Sequence, residues 1–149
     1  MAKLGHVHLK VRNLRMAEKF YTRLLGFKIT EKVDDAYTFL SLGKSHHDLA
    51  LQNAGENAPL PLQNSVGLYH FAVELENERQ LAQMYLKLTE NKIDVSAVDH
   101  GISKSIYLSD PDGNGIEIYV STRKKNKNWL GRTVQLDIKK LTANTKPGR

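Results

Sequence analysis

Laid over itself so that His6 meets His70, the chain repeats. Asn13 then meets Asn77, Tyr21 meets Tyr85 and Leu24 meets Leu88, while Val7, Leu9 and Val11 meet Phe71, Val73 and Leu75. A supersecondary unit that occurs twice constrains the fold more than any single motif. Each copy opens with an alternating strand, turns briefly and enters an amphipathic helix. The first helix is expected near residues 15–25, with Met16, Phe20 and Leu24 at helical spacing beside Ala17, Tyr21 and Leu25, and Gly26 stopping it. The second is expected over 78–90, with Leu81, Met84, Tyr85 and Leu88 on one face. Strand-like runs follow each helix, at 27–33, 36–42 and 48–52, then at 93–98, 105–108 and 115–120. Each copy therefore reads strand–helix–strand–strand–strand. The segment 53–65, with Gly55, Pro59 and Pro61, has linker composition, and Asp110-Pro111-Asp112-Gly113-Asn114 is a turn. The expected fold is α+β: two tandem βαβββ modules, 4–53 and 66–121, in one domain over 1–121, their sheets wrapped around one open cup.

Composition narrows the function. The 149 residues include no cysteine, which excludes a disulfide framework, a thiolate nucleophile and a zinc–cysteine site. No apolar run is long enough for a membrane span, and the start has no signal-peptide core, so a cytoplasmic setting without membrane attachment is expected. The net charge of +6 is not a nucleic-acid signature. Nine of the 22 Lys and Arg residues lie in 121–149 against a single acid, Asp137, leaving the body slightly acidic. Aromatic residues are not interleaved along that tail as base stacking requires. Residues 122–149 are expected to form a basic, largely solvated extension whose removal leaves the site intact. Trp129, Leu130, Val134, Leu136 and Leu141 suggest that part of it packs on the body or a second subunit.

Strand faces locate the chemistry, because side chains alternate across a strand. Val7, Leu9 and Val11 oppose His6, His8 and Lys10; Phe71, Val73 and Leu75 oppose His70, Ala72 and Glu74; Ile116, Ile118 and Val120 oppose Gly115, Glu117 and Tyr119. If the apolar faces pack on helices, His6, His70 and Glu117 point into the cup. A lone strand histidine is usually structural. Two at repeat-equivalent positions, joined by a carboxylate on an Ile/Val strand, match the facial triad of non-haem Fe(II) oxygenases, which leaves coordination positions open.

With these residues in place, the chain resembles the vicinal oxygen chelate superfamily, and within it the extradiol ring-cleaving dioxygenases of the catechol 2,3-dioxygenase type. The resemblance covers about 4–121. General superfamily marks are Phe20-Tyr21 with Leu25-Gly26-Phe27 and the Asp110-Pro111-Asp112-Gly113 turn; His46-His47-Asp48 and Asp99-His100-Gly101-Ile102-Ser103 are closer to the ring-cleaving enzymes. The resemblance implies His6, His70 and Glu117 as ligands of Fe(II), with Mn(II) an alternative in the same set. It implies His47 as the histidine acting on substrate and oxygen intermediates, His100 as a substrate-contacting pocket histidine, and Tyr107 as a hydrogen-bond partner of a substrate oxygen. His8 shares a face with His6 and could line the pocket or substitute as a ligand, and the role of His46 is open. The implied partners are a catecholic small molecule and dioxygen. Short exposed strands and the amphiphilic tail make a homodimer the expectation.

Rival chemistries share the fold. A glyoxalase-type isomerase uses a fourth ligand on the last strand of the first module, where aligning Leu49–Gln52 with Ile116–Tyr119 puts Ala50. A fosfomycin-resistance-type transferase shares two histidines and a glutamate, but His47 and the 99–103 segment fit it poorly. A metal-free bleomycin-resistance-type binder needs no triad. A purely structural role would leave six histidines as costly decoration. Many ring-cleaving relatives carry two further modules; this chain has one pair.

Overall fold

The computed structural model describes residues 2–62, 64–124, 128, 132–143 and 145. It divides into two units: residues up to Gly67 with Asp110–Asn114, and Leu68–Ser109 with the chain from Gly115 onward. Both are α+β, built on sheets of four and five strands.

In the first unit, strand β1 (Val7–Val11) alternates as its sequence demands, with Leu9 and Val11 buried and His8 and Lys10 exposed. Asn13 then caps helix α1 (Leu14–Lys19), its side-chain oxygen accepting the Met16 N–H at 3.1 Å. The expected single helix continues instead as a π-helical turn over Phe20–Leu24, and the neighbours Phe20 and Tyr21 are both buried. Gly26, at φ +80°, ends it in a backbone region that favours glycine. Strands β2 (Lys28–Val33), β3 (Tyr37–Ser41) and β4 (Leu49–Asn53) complete a sheet in the order β1-β4-β3-β2, with β1 and β4 parallel. The core gathers Leu9, Val11, Tyr21, Leu40, Leu49 and Leu51.

The turn Asp110–Asn114 belongs to this unit as a buried polar hub. Asp110, 5% exposed, accepts hydrogen bonds from the Tyr21 hydroxyl at 2.9 Å, the backbone N–H groups of Asp112 and Asn114, and the Asn114 side-chain amide. Burial, then the charge of Asp110, pushes the Tyr21 hydroxyl far above its ordinary range, so it stays a donor. Arg12 ties down the same turn through Asp112 at 3.1 Å.

The second unit repeats the plan. Strand β5 (Phe71–Leu75) leads to helix α2 (Glu78–Glu90), capped by Asn77 on the Gln80 N–H at 3.0 Å. The two repeat-related asparagines thus do the same work. Strands β6 (Ser96–Asp99), β7 (Ser103–Ser109) and β8 (Gly115–Ser121) follow, with Ile106, Ile116, Ile118 and Val120 packed in the core with Leu81 and Leu88. The sheet order is β5-β8-β7-β6-β9, with β5 and β8 parallel.

Strand β9 lies in the C-terminal extension, most of whose described residues are exposed. Val134–Gln135 pair antiparallel with β6, the Leu136 N–H donates to the Ala97 carbonyl at 3.1 Å, and the Leu136 side chain is buried. Helix α3 (Ile138–Thr142), capped by Asp137, follows. Val134 is exposed and Leu141 half-buried, while Trp129 and Leu130 lie outside the described residues.

Gly115 begins β8 where β5 begins. A Cβ there would overlap the Tyr69 carbonyl oxygen and crowd the Cβ of His70. Gly115→Ala is expected to cost about 1–3 kcal/mol, because the overlap is with backbone and the strand start must move. An unchanged denaturant midpoint would show that the strand yields freely.

Candidate metal and substrate site

The residues singled out from the sequence gather in two clusters, one per unit. In the first, parallel pairing of β1 with β4 sets Val7 opposite Leu49, and the Val7 N–H donates to the Asp48 carbonyl. The residues just before these strands therefore lie together, and the His6 and His47 rings stand 4.4 Å apart. Phe39 packs edge-on against His47 at 5.0 Å. His46 Nδ1 meets His47 Nδ1 at 2.9 Å, and His46 Nε2 meets Glu31 at 3.0 Å. This occupies Nδ1 of His47 and, among the described residues, leaves its Nε2 for other partners. Partial loss of hydration, then the neighbouring His6 and His46, lowers the pKa of His47 below the usual histidine range, favouring the neutral ring that can act as a base. His8 lies edge-on to Tyr37 at 5.9 Å and adds a smaller push in the same direction on His47.

In the second unit, register makes the cluster. Glu117 lies directly opposite Tyr107 on β7 and opposite Ala72 on β5, two residues beyond His70. His70 Nε2 and Glu117 Oε2 face each other at 3.2 Å. The Tyr107 hydroxyl donates to Glu117 Oε1 at 2.9 Å, and His100 Nε2 meets that hydroxyl at 3.0 Å. Burial, then the bond to Glu117 and its charge, pushes Tyr107 up to about 12. The matching slot in the first unit, two residues beyond His6 and across the parallel pair, holds Ala50.

This pair suits a divalent ion. Two donors each about 2.1 Å from one ion and at right angles around it lie about 3 Å apart, close to the separation seen here. Imidazole nitrogen with carboxylate oxygen is a donor set for Fe(II) or Mn(II). His70 Nδ1, the ring nitrogen away from Glu117, is buried and has no hydrogen-bond partner among the described residues, so it adds nothing for an ion held at Nε2. Among the described residues, no three His, Asp or Glu side chains stand grouped as a metal site.

Residues 3–118 match the Glyoxalase/Bleomycin resistance protein/Dioxygenase superfamily. The chain belongs to that superfamily. Among curated relatives, a catechol-2,3-dioxygenase of Bacillus subtilis is 33% identical over 144 residues, covering 93% of this chain and 50% of the relative. A biphenyl-2,3-diol 1,2-dioxygenase of Rhodococcus globerulus is 31% identical over 120 residues, covering 79% of this chain and 63% of that protein. The chain thus spans half to less than two thirds of these relatives' length. Among solved structures, a superfamily domain from Frankia superposes with a TM-score of 0.68 at 19% identity, covering 81% of this chain and 98% of that one. That likeness supports the α+β superfamily fold. No helix of the described residues is long and apolar enough to cross a membrane.

Sequence reasoning missed Glu31, Phe39 and Thr133, which hold His46, His47 and His100 respectively. The alternation of β3 could have singled out Phe39. No spacing joins Glu31 to His46, or Thr133 to His100, until the strands are paired.

Proposed function

We propose that the chain cleaves the ring of a catechol-type diol beside its hydroxyl-bearing carbons, using Fe(II) and dioxygen. The His70–Glu117 pair, with Tyr107 and His100 in line behind it, carries this reading. The dioxygenase names of the two curated relatives support it. His70 and Glu117 would hold the ion, with His6 as third ligand; Mn(II) suits the same donors. What the ion supplies when bound is a more acidic catechol hydroxyl and a common platform for diol and dioxygen.

The side chains move and hold the protons. His47, with Nδ1 engaged by His46, takes a proton at Nε2 from the second hydroxyl and returns it later. Tyr107 has one proton, which its hydroxyl donates in a hydrogen bond to Glu117; a substrate oxygen arriving beside that carboxylate competes for this bond, and His100 supports the tyrosine oxygen as charge develops. The diol and dioxygen together balance the product, so both oxygen atoms enter it and no outside reductant is needed. Ala50 offers no fourth ligand for glyoxalase-type chemistry.

Turnover of a catechol under isotopically labelled dioxygen tests the reaction. Two labelled atoms in the ring-opened product are expected; one or none would overturn the reading. His47→Phe is expected to retain metal binding while slowing turnover by about 100-fold or more, the usual range for a lost acid–base group. An unchanged rate would remove His47 from that role.

A further inference from the structure

We infer that Tyr69 is a substrate-contacting residue that takes the face of the diol's aromatic ring, and so favours ring-bearing ligands at the His70–Glu117 pair. The inference rests on the proposed ring-cleavage site and adds a specificity determinant to it. Two tyrosine rings pack against the His70 imidazole, Tyr107 edge-on at 5.3 Å and Tyr69 tilted at 5.2 Å. Tyr107 is half-buried and committed to Glu117 and His100, whereas Tyr69 is 86% exposed.

Exposure alone carries little, since single apolar side chains are common on protein surfaces. Placement sets Tyr69 apart. It directly precedes His70, whose Nε2 faces Glu117 Oε2 at 3.2 Å. Burial and then Glu117 push the Tyr107 hydroxyl up, and Tyr69 adds a smaller push in the same direction, so the two tyrosines stand within electrostatic reach of each other. An aromatic ring brought to this pair by its oxygens meets the Tyr69 ring beside the imidazole. Aromatic rings favour offset-stacked or edge-on contacts with centroids about 4.5–7 Å apart, and such contacts add to whatever apolar area they bury. A tyrosine offers this surface at low entropic cost, because few torsions have to be fixed.

The fold holds the exposed ring on a fixed backbone. Tyr69 stands just ahead of β5, where Phe71 pairs with Ile116 of β8. Gly115 precedes Ile116, and the Tyr69 carbonyl lies in the space that a Cβ on Gly115 would take. The close approach of β5 to β8 that brings His70 to Glu117 thus also seats Tyr69. A group ordered before its ligand arrives loses less freedom on binding.

Anaerobic absorbance titration of the Fe(II)-loaded protein with nitrocatechol, a coloured diol, reads binding without turnover. Tyr69→Leu keeps an apolar side chain and removes the ring face. It is expected to bind nitrocatechol about threefold to tenfold more weakly, the worth of an aromatic pair. Tyr69→Phe keeps the ring and is expected to bind within about twofold of wild type. Fe(II) affinity, titrated before the diol is added, is expected to be the same in all three proteins, because Tyr69 is not a ligand. Equal nitrocatechol binding in Tyr69→Leu, a phenylalanine variant as weak as the leucine one, or Fe(II) affinity that falls along with diol affinity would each overturn this inference and leave the proposed function standing. A wild type that binds no nitrocatechol would overturn the proposed function and this inference with it.

Discussion

His70→Ala and Glu117→Ala are each expected to weaken Fe(II) binding by more than about 100-fold while leaving the protein folded. The two side chains face each other at 3.2 Å, and both are partly exposed, so truncation leaves little cavity. Changes to groups that merely support a ligand cost about 10–100-fold in metal affinity, and removal of a ligand itself exceeds that. Titration of Fe(II) into the metal-free variants under anaerobic conditions measures the effect. His8→Ala is the control, since His8 packs against Tyr37 and is expected to leave the affinity unchanged. Full affinity in Glu117→Ala or His70→Ala would remove that residue from the site.

Asp110→Ala is expected to be the most destabilising single change described, by about 3–5 kcal/mol. The carboxylate is buried and holds the Tyr21 hydroxyl, two backbone N–H groups of its own turn and the Asn114 amide. Its removal takes away the acceptor that the Tyr21 hydroxyl and two backbone N–H groups of the turn share. Tyr21→Phe removes donor and need together at one end only, and is expected to cost less, about 1–2 kcal/mol. Urea unfolding of both variants gives the comparison; equal losses would show that the turn does not depend on the carboxylate.

Much of this was readable from residue order because each unit obeys a short-range rule. The repeat-related Asn13 and Asn77 cap their helices, and the strand alternation of β1 and β8 puts Leu9, Val11, Ile116 and Ile118 inside. Those rules also place His70 and Glu117 on one face, although only the β5–β8 register shows how near they come. Three features were not legible. The π-helical turn at Phe20–Leu24 leaves the apolar spacing nearly helical, so periodicity cannot reveal it. The partners of His46 and His100 depend on which strands pair. β9 is two residues long, too short for any period, and sits in a lysine-rich stretch where, among the described residues, Leu136 alone is buried.

The central claim is that the His70–Glu117 pair belongs to an Fe(II) site for ring cleavage. It is tested most directly by anaerobic reconstitution with Fe(II), followed by oxygen uptake and absorbance scans against a panel of monocyclic and bicyclic catechols. The account predicts a yellow ring-opened product forming in step with oxygen consumption, and neither signal in Glu117→Ala. Tight Fe(II) binding with no oxygen uptake on any catechol would contradict it.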